Sequence, residues 1–92
     1  MDADQAETIA VSALAFLAQD IQRLGRFLAL TGIGPAELRQ QARTARVLAA
    51  VLDHLSRDES LLLAFAATSA IAPQHIAAAQ SVLEREAHNE AG

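Results

Sequence analysis

The chain has 92 residues, 52% of them hydrophobic, and a net charge of −4, with no cysteine, tryptophan or tyrosine. That length supports one domain, near the small end of what folds on a single core, and the lack of cysteine excludes disulfides and thiolate metal sites. Alanine and leucine dominate and the only aromatics are three phenylalanines, so composition selects an all-α fold of closely packed helices with a thin core.

In chain order, Asp4 followed three residues later by Glu7 forms an Asp-x-x-Glu capping pattern, which starts a first helix over about residues 5–18. Ile9, Ala10, Ala13, Leu14 and Leu17 make its buried stripe. Val11 and Phe16 lie off that stripe, so this helix is apolar on more than one side and is either central or at a dimer contact. Asp20 then caps a second helix whose stripe is Leu24, Phe27, Leu28 and Thr31, with Ile21 entering it and Arg23 and Arg26 on the polar side. Gly32 falls where a helix end wants positive φ. Pro35, after Gly34, opens a short third helix to about Arg43, anchored by Leu38 and Ala42.

Thr44 either caps a fourth helix or marks a bend that joins it to the third, and the repeat between the two halves favours a break; the fourth helix runs from about Ala45 to Leu55 or Ser56, with Val47, Leu48, Val51, Leu52 and Leu55 as its stripe. Asp58 caps a fifth helix ending near Ser69, with Ser56 and Glu59 as a competing capping box. Pro73 opens a sixth that carries Ile76, Ala79, Val82 and Leu83, and residues 87–92 form a polar tail expected to fray.

The two halves share a skeleton. Leu24, Phe27, Ile33, Pro35 and Leu38 correspond to Leu62, Phe65, Ile71, Pro73 and Ile76 at an offset of 38 residues. Eight of the 29 pairs between residues 14–42 and 52–80 are identical without a gap, and the stripes, caps and prolines coincide as well. The sequence therefore predicts a bundle of five to six short helices built as two three-helix units, residues 6–42 and 44–80, that share one core.

Ala-Leu-Ala-Phe-Leu-Ala (13–18), Arg-Phe-Leu-Ala-Leu-Thr-Gly (26–32) with Pro35 and Leu38-Arg39, Val-Leu-Asp (51–53), Asp58-Glu59 and Leu-Leu-Leu-Ala-Phe-Ala (61–66) resemble an uncharacterised family of small, mostly alphaproteobacterial proteins, a domain of unknown function. The resemblance spans about residues 6–83 and implies a small cytoplasmic helical domain. It brings no catalytic residue, cofactor or partner with it.

Localisation follows the same expectation. The longest apolar run, Leu61 to Ala67, is far short of the roughly 20 residues of a membrane span, and the acidic Met-Asp-Ala-Asp start is unlike a signal peptide. Chemistry is sparse. Asp53, His54 and Asp58 sit near one helix end, which reads as an exposed histidine beside a capping aspartate, short of the ligands a metal needs. No serine has a glycine-flanked elbow and no phosphate-binding glycine loop occurs. We therefore expect no enzyme, no cofactor and no small-molecule ligand, but a helical module that binds a protein partner or itself, with Val11 and Phe16 as its interface residues.

The alternative lies in the charge distribution. Residues 23–46 hold Arg23, Arg26, Arg39, Arg43 and Arg46 against Glu37 alone, between acidic flanks. Gly32-Ile33-Gly34-Pro35 within this island looks like the hairpin of helix–hairpin–helix modules, where backbone N–H groups meet nucleic-acid phosphates without reading sequence. Segments 21–31 and 35–43 also suit a DNA-reading helix-turn-helix. In either reading Gly32 and Gly34 would shape the turn, and Arg39, Arg43 and Arg46 would supply charge along one face if the helix ran on unbroken. Against this stand Pro35, which has no N–H, and a second copy of the turn without glycines or following arginines.

Overall fold

Side-chain caps fix where four of the helices begin, and prolines open the other two. In the computed structural model, which describes residues 1–91, α1 spans Ala3–Ala18, α2 Ile21–Thr31, α3 Pro35–Gln41, α4 Ala45–Ser56, α5 Glu59–Ser69 and α6 Pro73–Ala91. Asp20 accepts from the backbone N–H groups of Gln22 and Arg23, Thr44 from Val47, and Asp58 from Leu61. Each satisfies a donor that the first helical turn leaves free. α1 corrects the expectation by two residues. Its cap is Asp2, because Asp2 and Gln5 form a full reciprocal box, with Gln5 N–H donating to Asp2 at 2.8 Å and Asp2 N–H to the Gln5 amide oxygen at 3.1 Å. The competing box at Ser56 does not form, since the Ser56 hydroxyl turns back to the Leu52 carbonyl at 2.9 Å.

α1, α4 and α6 pack on one another as the central trio. α2 lies on α1 and α4, α5 rests on α4, α6 and α1, and α3 packs comparably on none of them. The least extent of the Cα trace is 18 Å, room for two layers of helices spaced about 8–10 Å apart. Thin layers suit small side chains. α1 turns Ala6, Ala10, Ala13 and Leu17 to its neighbours, all fully buried, while Ile9 and Leu14 of the expected stripe are only half-buried.

The buried arc of α1 is wider than one stripe because α5 covers its other side. Phe16 is therefore inside, with its ring 5.5 Å from Phe65. The centre belongs to α4, which buries Ala45, Val47, Leu48, Ala49, Val51, Leu52, His54 and Leu55. Ile21, expected in the core stripe, is instead 86% exposed, since the first turn of α2 projects past α1. α3 stops at Gln41 rather than Arg43, and none of its residues is buried. α6 stays helical through residues 87–91, where a frayed tail was expected, and Gly92 lies outside the described residues.

At the offset of 38 the structure matches α2 with α5. α2 and α5 have equivalent bounds, and both are capped by aspartate. Both end in a left-handed residue, Gly32 at φ 75° and Ala70 at φ 57°. Phe27 and Phe65 are both buried, and Pro35 and Pro73 both begin the next helix. The third helices diverge: α3 has 7 residues and stands aside, whereas α6 has 19 and packs on α4 and α1.

Candidate functional site

The glycine turn has little left to offer a phosphate. Gly32 N–H donates to the Leu28 carbonyl at 2.9 Å and Ile33 N–H to the Thr31 hydroxyl at 3.3 Å. Pro35 has no donor, so of the four hairpin residues only Gly34 keeps a free N–H. Gly32 has a direct conformational role, since its left-handed backbone closes α2. The helix that follows has only two turns.

The arginines of the island mostly brace the fold. Arg43, in the link after α3, reaches Glu7 on α1 at 3.0 Å. Arg46 on α4 pairs with Glu37 and also donates to Gln41 at 3.2 Å, tying α3 back to α4. Arg23 lies 3.9 Å from Asp20 and stacks over the Phe16 ring at 4.8 Å from its centre. The break capped by Thr44 takes Arg46 off the face that holds Arg39. Of the proposed phosphate contacts only Arg39 joins no ion pair among the described residues. Exposed pairs of this kind contribute about 0–1 kcal/mol each, enough to orient α3 but little to overall stability.

The two expected interface residues are not free. Val11 is half-buried against the core, and Phe16 forms the floor of a shallow groove between α1 and α5, beside Ala15, Thr68 and Ser69. The larger exposed apolar side chains are Met1, Ile21, Leu30 and Leu63. Their exposure was not legible in the sequence, where Ile21 fits the entry of the α2 stripe and Leu63 an apolar run, like any core residue.

His54 is the main departure from the sequence reading. It is only 7% exposed, the buried polar residue of the core, and its ring meets Phe27 edge-on at 5.3 Å. Burial holds its pKa below the usual 6.5, and the Arg26 charge pushes the same way, while Asp58 and Asp53 oppose them. The ring is not sealed in. It lines a cleft of about 480 Å³ between α2 and α4, along with Arg26, Leu30, Ala50, Asp53 and Asp58. Arg57, at the mouth, bonds Asp53 at 2.8 Å, which holds its guanidinium still more firmly in the charged form. No group of three or more histidine, aspartate or glutamate residues converges to hold a metal among the described residues, and no single helix is long and apolar enough to cross a membrane.

The family described as "Protein of unknown function (DUF3572)" matches residues 3–86, nearly the whole chain, and the chain belongs to it. That description names no enzymatic activity. No curated protein and no solved structure matches the chain.

Proposed function

We propose that this DUF3572 member is a non-enzymatic helical docking module that pairs with a second copy of itself through the outer face of α5. The observation that carries this is the composition of that helix. From Ser60 to Ser69 it has no charged residue, yet Phe65 is its only fully buried one, and Leu63 is 49% exposed with Ala67 and Ala70 open beside it. A helix apolar all round is normally surrounded, so a solvent-facing side whose one charge, Glu59, stands in its first turn marks a surface that awaits cover.

Self-pairing suits this face. A two-fold contact sets the same patch against itself, and antiparallel pairing of the two α5 helices keeps the one charge of each, Glu59 in the first turn, away from its copy and so limits like-charge repulsion. The neighbouring groove continues it in kind, since Ser12, Ala15, Gln19 and Thr68 are also uncharged. The subunits would meet already folded. The accessible surface of 5434 Å² for a 9.7 kDa chain is close to the roughly 5100 Å² of a compact monomer.

Sedimentation velocity over a concentration series tests the proposal. The wild type should move from monomer to dimer by high micromolar concentration. Leu63→Glu, at a half-exposed position, should stay folded and monomeric, while Leu30→Glu near the C-terminal end of α2 should still dimerise. A wild type that remains monomeric throughout, or a Leu63→Glu protein that dimerises as well as the wild type, overturns the reading.

A further inference from the structure

The cleft above His54 is separate from α5's outer face and has its own chemistry. Most of its polar groups are already committed. Asp53 accepts from Arg57 at 2.8 Å. Asp58 accepts from the Leu61 N–H at 3.1 Å and faces the positive end of α5. The Thr31 hydroxyl donates to the Phe27 carbonyl at 2.7 Å. Two groups remain. Arg26 joins none of the ion pairs among the described residues, and the imidazole of His54 opens into this cleft and into a smaller one beside it that shares Arg26 and Asp58. Leu30 and Ala50 supply an apolar wall.

We propose that this cleft binds a small monocarboxylic acid with a short apolar body: the carboxylate on Arg26 with a hydrogen bond to His54, the body against Leu30 and Ala50. The planar guanidinium fork matches a carboxylate with two parallel bonds. Arg26 is the cation of the lining that no ion pair among the described residues engages, and a single negative charge meets less repulsion from Asp53 and Asp58 at the same mouth than a dianion such as phosphate would. The volume of about 480 Å³ lies within the range of about 300–1000 Å³ usual for small-ligand sites.

Binding should depend on pH through His54. The charged groups around its ring are Arg26 from α2, Asp53 and Arg57 from α4, Asp58 before α5, and Arg23 across the smaller cleft. A bound carboxylate offsets the field of Arg26, one of the two causes that keep the ring neutral. It thus favours the imidazolium, which in turn donates to it. Affinity should rise as pH falls from neutrality toward about 6, the range where histidine gains its proton.

Titration of the full chain with hexanoate, acetate and inorganic phosphate, followed by amide and histidine-ring NMR shifts, tests this. Hexanoate should give saturable shifts at Arg26, Leu30, Ala50 and the His54 ring, bind more tightly than acetate or phosphate, and tighten at lower pH. Arg26→Gln, an exposed position whose change leaves the core intact, should weaken hexanoate about tenfold, the loss of one charge-assisted bond. Arg85→Gln on α6 should change nothing. No saturable shift with hexanoate, equal binding of phosphate, or an Arg26→Gln protein that binds like the wild type overturns the proposal. The Leu63→Glu protein should bind hexanoate unchanged, so the site and the self-pairing face stand or fall separately.

Discussion

Phe27→Ala is the substitution whose cost follows most fully from the geometry. The ring is fully buried in α2, the layer above α4, and its neighbour is the edge of His54 at 5.3 Å. Removing a buried phenylalanine side chain costs about 3–5 kcal/mol in transfer and cavity terms, and losing an edge-on aromatic pair adds about 0.5–1.5 kcal/mol. A domain of this length has a total stability of roughly 5–14 kcal/mol, so the change removes between about a quarter and all of it. Urea unfolding followed by far-UV circular dichroism reads the effect. With a slope near about 1 kcal/mol per molar urea for so small a domain, the midpoint should fall by about 3 M or more. The Phe27→Leu protein, which refills most of the volume, should lose well under half as much. A Phe27→Ala loss below about 1 kcal/mol would refute the placement of this ring at the centre of the α2–α4 contact.

Three further outcomes follow. The folded state keeps His54 neutral, so its contribution is fully present above about pH 6.5 and is lost as pH falls through the lowered folded pKa; the urea midpoint should drop between pH ~7 and ~5, less so in His54→Leu, and equal pH dependence of the two proteins contradicts this. Ala70 holds the left-handed backbone that Gly32 holds at the equivalent end, so Ala70→Gly should stabilise by about 0.5–1 kcal/mol and Gly32→Ala destabilise by about 1 kcal/mol, and opposite signs in thermal melts would undo the equivalence. Labelled duplex and single-stranded DNA should not bind at ~50 mM salt, where counterion release is strongest, because Arg43 and Arg46 are paired with Glu7 and Glu37 and the turn keeps only the Gly34 N–H; tight binding that Arg39→Ala abolishes would reinstate the glycine turn as a phosphate site.

What was legible in the sequence was local. Asp20, Thr44 and Asp58 cap helices because an oxygen two or three residues before a free N–H depends only on the neighbouring chain, and Pro35 and Pro73 start helices for a similarly local reason. The break at Thr44 was expected from the 38-residue offset, and in the structure it is the Thr44 cap that makes it. The stripes placed α4 well, because a central helix is buried over so wide an arc that any apolar register fits. They placed α1 poorly. Nothing in the 3.6-residue period says that α5 covers Phe16 or that alanines, rather than Ile9 and Leu14, take the closest approach. Ile21 and His54 fail for the same reason in opposite directions, since whether an end residue is covered depends on where the next helix travels. The cleft could not be seen at all, because Arg26 meets His54 only once α2 lies over α4, 28 positions along the chain.

The proposed self-pairing of the protein rests on the apolar outer face of α5, and isotope-filtered NOE measurements on a mixture of labelled and unlabelled chains examine that face directly. The account predicts intermolecular cross-peaks between the methyl groups of Leu63, Ala67 and Ala70 and those of the same helix in the second copy. Their absence in a sample shown to be dimeric, or cross-peaks confined to Ile21 and Leu30 on α2, would contradict it.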